Sequence, residues 1–314
     1  MFNINTLKIR HTLLQYLRSF YYQNQFYEVS PPVLTSFSCE QACIGGSGLI
    51  NVNYYNDKAF LSQSAQLYLE ALLLQSQVKG VFCINPAFRA ETTLLVNHLS
   101  EFWMCEAEIL NITLSELISH IRHLLKEIIE YIIKINHQEL NALGCSIDYL
   151  RKMVQNEIPS LTYSEAIEYL QKRNLDISFG NDINDNAERI LCNSFNNSLI
   201  IITNYPCCLS SFYKRNSDSI IETTESIDVI APYGYGEIIG GSIRENNYNY
   251  LISKIQNCGQ DSKPLQWYLK IINEKNILHG GYGLGIERFI SWICNLRAIQ
   301  DSIPYPRTEN NLCP

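Results

Sequence analysis

FCINPAFRAETTLLVNHLSEFWMCEAEI, residues 82–109, is the stretch on which the fold turns. It reads as two strands joined by a loop. With the two-residue period of a strand, Asn85, Ala87, Arg89 and Glu91 share one face of the first. Phe102, Met104, Glu106 and Glu108 share one face of the second. An arginine, several carboxylates and an aromatic ring thus converge on one surface of an antiparallel pair. That set suits a nucleotide: guanidinium for phosphate, ring for base, carboxylates for a metal or an exocyclic amine. Taken alone, the hairpin leaves open a solvated face with ordinary cross-strand ion pairs.

Toward the N-terminus, residues 5–22 form an amphipathic helix, with Leu13, Leu14, Leu17, Phe20 and Tyr21 at three- and four-residue spacing. Residues 26–34 follow as an extended segment. Pro31 and Pro32 remove two ladder donors, which places this strand at an edge or an interface. Residues 40–48 hold three glycines and read as a loop, either a lid over a pocket or a plain surface turn. A short strand at 59–63 precedes a helix at 66–77 with Leu67, Ala71 and Leu74 on its apolar face.

Toward the C-terminus, residues 114–135 form a long helix. Its His120 and His123 have metal-ligand spacing but no third ligand in view, so a solvated face is expected. Residues 136–197 are polar and weakly patterned, with one clear helix at 163–172, and read as a peripheral subregion without chemistry. Residues 199–203 are a strand. Residues 225–230 and 237–244 are strands around a glycine turn, and each carries a carboxylate, Asp228 and Glu237, among apolar neighbours. A carboxylate so placed is paired, hydrogen-bonded or metal-bound. Two in succession point to a divalent cation, with structural ion pairing as the alternative. Residues 280–292 run from a glycine-rich strand into a helix. Arg288 in its first turn opposes the helix dipole and calls for a partner such as a phosphate or a purine.

The 314 residues are 46% hydrophobic and 18% charged, enough for a sizeable core. A single domain over 1–314 is expected, with its variable subregion near 136–199. The net charge of -7 gives no global support for nucleic-acid binding. Eleven cysteines without a CxxC pair read as reduced thiols in a cytoplasmic protein. No apolar stretch reaches the roughly 18 residues that a membrane helix needs.

Several segments, taken in order, resemble the motifs of class II aminoacyl-tRNA synthetases, and within that class the asparaginyl subgroup. They are FYEVSPPVL (26–34), FLSQSAQLYLE (60–70), FRAE (88–91) with HLSEFWMCEAE (98–108), TESIDV (224–229), GEIIGGSIRE (236–245), HGGYGLGIERF (279–289) and IPYPRT (303–308). The resemblance implies an α+β fold, an antiparallel sheet of about six strands flanked by helices. It also implies a homodimer through the first helix and the proline strand, with ATP and Mg²⁺ as cofactors.

The same resemblance assigns roles. Arg89 would hold the α-phosphate and the substrate carboxylate, Glu91 the adenine side, and His98 the terminal phosphates. Phe102 and Arg288 would sandwich the adenine, with Gly285 beside it. Asp228 and Glu237 would carry Mg²⁺. Glu40 and Gln66 would hold the substrate α-amino group, and Arg244, near Gly240, would read the substrate side chain. Arg89, Glu237 and Arg288 would be the catalytic set.

Departures from the family pattern bear on function. The catalytic helix begins at residue 5, so an N-terminal anticodon-binding module is expected to be missing. Residues 92–97, TTLLVN, lack the cations that usually meet the tRNA acceptor end. Ser210 stands where the family has a lysine. Leu69 stands where aspartyl enzymes have one, which argues against an aspartyl enzyme. The expectation drawn is an AMP-forming, tRNA-independent ligase resembling archaeal asparagine synthetases, acting on aspartate or a related carboxylate. Alternatives are an adenylating enzyme modifying a peptide, carrier or amide (nitrile formation included), a non-catalytic amino-acid-binding regulator, and a minimal asparaginyl-tRNA synthetase. No tRNA partner and no membrane are expected.

Overall fold

In the computed structural model, which describes residues 2–37, 48–90, 98–259 and 261–312, the chain enters at helix α1 (Ile4–Gln23). Asn3 caps it by accepting the Asn5 N–H. Strand β1 (Phe26–Glu28) follows. Beyond the proline pair, β2 (Leu34–Thr35), β3 (Asn51–Tyr54) and β4 (Asp57–Leu61) form a small antiparallel sheet. Helix α2 (Gln66–Ser76) leads to the long hairpin β5 (Gly80–Phe88) and β6 (Glu101–Leu110). The chain then runs through α3 (Leu114–Ile135), α4 (His137–Ala142), α5 (Ile147–Gln155), β7 (Ser160–Thr162), α6 (Tyr163–Gln171), α7 (Asp185–Ser194) and β8 (Ile200–Thr203). It continues through β9 (Ser226–Ala231), β10 (Gly236–Ile243), α8 (Tyr248–Asn257), α9 (Gln266–Lys275), β11 (His279–Gly285) and α10 (Ile286–Ile293).

Eight strands make the main sheet, in the order β1-β5-β6-β11-β10-β9-β8-β7. Only the β1–β5 and β7–β8 pairs are parallel. The expected six strands become eight because β1 pairs as a true edge strand and the subregion adds β7. The proline pair lies outside both ladders, and β1 stops at Glu28 ahead of it.

The alternation along β6 and β11 separates two faces. Cys105, Ala107 and Ile109 of β6, with Tyr282 and Leu284 of β11, point into a core shared with α1, α3 and α10. Tyr21 of α1 stacks on Phe82 at 4.4 Å and bonds the Tyr282 hydroxyl at 2.8 Å. His120 lies here too, 3.0 Å from that hydroxyl and stacked on Phe26, so it is a core histidine. The opposite residues Phe102, Met104, Glu106 and Glu108 face Gly281, Gly283 and Gly285. Among the described residues, three satellite cores flank this second face, one of them joining α2 to β5 through Leu69, Leu73, Val81 and Cys83. A second joins α2, α8 and α9 through Leu67, Leu74, Leu251 and Tyr268. The third, in the subregion, joins α6 and α7 to β8 and β9 through Tyr163, Leu191, Ile202 and Ile230.

Two further expectations change. Residues 136–197, expected to be weakly patterned with one clear helix, carry four helices and a strand, with caps at Ser146, Thr162 and Asn184. Their elements are short, so their periodicity is faint in sequence. Helix α2 is buried on nearly all sides rather than on one stripe. Leu69 and Leu73 pack on β5 while Leu67 and Leu74 pack toward α9, which leaves Glu70 inside the protein.

Gly281 is a position where no side chain fits. A β-carbon there would overlap the Glu108 carboxyl group and the Ala107 carbonyl of the neighbouring strand. Gly281→Ala is expected to destabilise the fold by about 1–3 kcal/mol, the usual cost of overpacking. Urea unfolding followed by fluorescence checks this; an unchanged midpoint would show that the strands can separate without loss.

Candidate active site

Arg89, His98, Phe102, Glu237, Gly285 and Arg288 come together in one pocket of about 180 Å³. Met104, Gly283 and Ile299 complete much of its wall. Arg89 follows β5 and is held by its N–H donating to the Ser100 carbonyl at 3.0 Å; its guanidinium lies 5.2 Å from the Phe102 ring. Arg288, in the first turn of α10, finds its partner in the Glu237 carbonyl, to which Nη1 donates at 2.8 Å. Beside it, Glu287 also lines the pocket. Its carboxylate pairs with Arg10 at 2.7 Å and accepts the Trp103 N–H at 2.8 Å, which fixes α10 to α1 and to β6. Burial, then the charges of Arg288 and Arg89, lower the His98 imidazole, so it faces the pocket neutral.

Asp228 and Glu237 meet on the same face because of a bulge. Asp228 lies opposite Gly240, but the register shifts between Glu237 and Ile239, so Glu237 pairs with Ile230. Opposed residues share a face, and Ile230 is two residues from Asp228. The bulge therefore turns Glu237 onto the Asp228 side. A β-carbon at Gly240 would collide with the Glu237 carboxylate and lie 3.6 Å from Asp228 Oδ1. Tyr205 hydrogen-bonds Asp228, and the Lys214 charge also favours its ionised form.

Sequence reasoning missed the contribution of α7. Its Arg189 donates to the Tyr233 carbonyl at 2.7 Å and covers Gly234, bracing the β9–β10 turn. Its Glu188 flanks Gly236: a β-carbon there would lie 3.5 Å from Glu188 Oε2 and 3.7 Å from Arg288 Nη1. The subregion thus reaches the site. Residues scattered in this way leave no spacing in the sequence that would reveal them.

Further along β6, Glu106 accepts the Ala65 N–H at 2.8 Å and the Ser64 hydroxyl, at the start of α2. Beyond it, Arg244 sits 3% exposed in an ionic cluster. Its Nε and Nη2 both donate to Glu108, the latter at 2.5 Å, and Nη1 donates to Ser242 at 2.8 Å. The resemblance gives Arg244 as the reader of the substrate side chain; in the structure its donors meet Glu108 and Ser242, because a buried charge demands a partner carboxylate. Gln66 belongs to the same cluster, donating to Glu70 at 2.7 Å. Glu70 also accepts from Tyr268 at 2.7 Å and from His279 at 3.1 Å. A carboxylate inside an apolar helix, QLYLEALLL, was the signal that could have found it. Ser210 lies in neither place. Its hydroxyl meets Thr224 at 2.9 Å and the Pro206 carbonyl at 3.0 Å. Glu40, Glu91 and residues 92–97 lie outside the described residues.

This geometry defines a class: an antiparallel sheet with a nucleotide pocket on one glycine-lined face, of the class II synthetase type. The family model described as tRNA synthetases class II (D, K and N) matches residues 3–309, and the chain belongs to that family, whose members are ATP-dependent, AMP-forming ligases. It is similar to the asparagine–tRNA ligase of Thermococcus gammatolerans, 34% identical over 308 residues, covering 98% of this chain and 70% of that protein. The Lactobacillus johnsonii asparagine–tRNA ligase is 35% identical over 309 residues, covering 98% of this chain and 70% of that protein. The crystal structure of asparaginyl-tRNA synthetase from Pyrococcus horikoshii complexed with asparaginyl-adenylate superposes with a TM-score of 0.93 at 32% identity, over 99% of this chain and 70% of that one.

These likenesses overturn the expected tRNA-independent ligase with no tRNA partner. That expectation rested on an anticodon module taken to be missing and on residues 92–97 without cations, with the net charge as weak support. Nucleic-acid affinity sums many phosphate contacts over a whole surface, so these features do not decide it. Among the described residues, no helix is long and apolar enough to cross a membrane.

Burial, then Glu237, pushes Asp228 up to about 7, and the same two causes push Glu188 up to about 8. A carboxylate raised in the folded state favours folding while protonated, below its unfolded value of about 4, and that contribution is lost as pH rises through the folded value. Cation-free protein is therefore expected to melt at progressively lower temperature as pH climbs from about 4 toward 7 and 8, and to level off above. Added Mg²⁺ is expected to raise the Tm more at the alkaline end. Differential scanning calorimetry with and without Mg²⁺ tests this, and an equal shift at both ends would count against a cation between the carboxylates.

Proposed function

We propose that this chain activates asparagine with ATP and transfers the asparaginyl group to tRNA. The likeness to asparagine–tRNA ligases supports it, and one structural observation carries the choice of amide over acid: the charge of Arg244 is already matched. Glu108 takes two of its donors. Burial pushes the Glu108 carboxyl up to about 7, although the Arg244 charge works against it. Leu69, packed against Val81 and Cys83, adds no cation. A substrate carboxylate would enter a buried site with no spare positive charge, whereas an amide oxygen needs only a donor.

In this proposal Phe102 and Arg288 hold the adenine, and Arg89 and His98 hold the phosphates. The Asp228–Glu237 pair fits Mg²⁺: both offer hard oxygen donors, and the neighbouring Gly240 leaves them room. Among the described residues no group of three or more His, Cys, Asp or Glu is arranged to hold a metal, so phosphate oxygens and water would complete the shell. Bound Mg²⁺ supplies charge neutralisation at the phosphates. Arg89 orients the substrate carboxylate for in-line attack on the α-phosphorus; pyrophosphate leaves and the mixed anhydride with AMP remains. The tRNA terminal hydroxyl then takes the asparaginyl group and AMP departs. Positioning and electrostatics suffice for both steps.

A homodimer through α1 and the segment around Pro31 and Pro32 belongs to the same proposal. Ile9, Leu13, Leu17, Phe20 and Tyr21 pack inside the protomer, while Ile4, Leu7, Tyr27 and Leu34 remain exposed for a partner.

Filter capture of radiolabelled asparagine on total tRNA, with ATP and Mg²⁺, is expected to show charging, and radiolabelled aspartate to show none. Arg89→Ala is expected to cut the rate about 10²–10³-fold, the loss typical of one transition-state donor. Charging with aspartate alone, or none with either, would remove the proposal.

A further inference from the structure

Glu70 is wholly buried among four side chains, Gln66, Arg244, Tyr268 and His279. Its Oε1 accepts from Gln66 Nε2 at 2.7 Å and lies 3.8 Å from Arg244 Nε. Its Oε2 accepts from the Tyr268 hydroxyl at 2.7 Å and faces His279 Nε2 at 3.1 Å. The second nitrogen of His279, Nδ1, lies 2.9 Å from the Ile277 carbonyl. A carbonyl oxygen only accepts, so Nδ1 carries a hydrogen; a carboxylate only accepts, so Nε2 carries one as well. Both nitrogens thus face acceptors and the ring is an imidazolium. Although burial opposes it, the Glu70 hydrogen bond and charge raise His279, and His279 and Arg244 in turn hold Glu70 below its ordinary value. The groups facing Glu70 are His279, Arg244, Tyr268 and Gln66, with Glu108 beyond Arg244. Two cations stand against two carboxylates, and Glu70 stays ionised.

An ionised carboxylate dictates the orientation of a carboxamide beside it. Only the amide nitrogen of Gln66 can face Glu70, so its oxygen must point the other way. That oxygen makes no hydrogen bond among the described residues, although Gln66 is only 7% exposed. It is an acceptor offered to something absent from the fold's own bonding.

We infer that Glu70 is a positioning residue for the amino-acid substrate: it locks the Gln66 carboxamide so that its oxygen meets the substrate α-ammonium group. This rests on the proposed asparagine activation. Arg244, 3.8 Å from the same carboxylate, keeps its own partners Glu108 and Ser242, so the side-chain end of the substrate does not depend on the Gln66 contact.

The test uses pyrophosphate exchange with asparagine, and succinamate, which is asparagine without its α-amino group, as an inhibitor. Glu70→Gln keeps the shape but offers Gln66 both a donor and an acceptor, so the carboxamide loses its fixed sense. The KM for asparagine is expected to rise about tenfold or more, the loss of one charge-assisted hydrogen bond. The Ki for succinamate and the KM for ATP are expected to hold. Tyr268→Phe removes one donor to Glu70 but leaves the Gln66 contact, so it is expected to lower the Tm without moving the KM for asparagine. Glu70→Asp, which withdraws the acceptor from Gln66 and retains the charge, is expected to act like Glu70→Gln and serves if that variant does not fold. Equal increases for asparagine and succinamate, or none for either, would overturn the inference and leave Glu70 a structural residue. A wild-type protein that does not exchange with asparagine would remove the proposed function, and the inference with it.

Discussion

Arg244 and Glu108 face each other across 2.5 Å with almost no water beside them. A guanidinium so buried is tolerable only when its donors are met, and removing one partner from such a pair costs about 3–5 kcal/mol. The pair binds β6 to the end of β10. Through Glu70, Tyr268 and His279 it also fixes α2, α9 and β11. The helices on this face cannot shift without breaking a buried ionic contact. The proposed amino-acid site is thus built into the ionic cluster that ties these elements together.

The sheet itself divides the labour by alternation. One face of β6 and β11 is apolar and welded to α1, α3 and α10. The other is polar on β6 and glycine on β11, which leaves space for ligands between the strands' own side chains. The flanking elements then act on the rim: α10 supplies Arg288, and α7 braces the turn that carries Glu237. The subregion of residues 136–199 is therefore part of the nucleotide site's scaffold rather than a bystander. The tRNA question shows the opposite hazard. Six residues without a cation, and a module taken to be missing, outweighed motifs that the rest of the chain shares with tRNA ligases.

The sequence by itself determined which residues have period two and which have period 3.6, and hence the hairpin of residues 82–109, the long helix α3 and the strand-to-helix passage into α10. It also brought out Arg89, Phe102, Glu237 and Arg288, because their residue types match phosphate, base and cation chemistry, and the family resemblance added His98 and Gly285. Its motifs gave the family. What only the tertiary structure decided are the relations between distant residues. Alternation alone would put Glu237 on the face opposite Gly240; the bulge reverses that, and a bulge is a property of two strands in register. Arg244 reads as a free cation until Glu108, 136 residues away, is seen to hold it. Glu70 reads as one more helix carboxylate until Tyr268 and His279 close around it, nearly two hundred residues later in the chain. Local pattern records where a side chain points, but a buried charge takes its role from its partners, and those are chosen by folding.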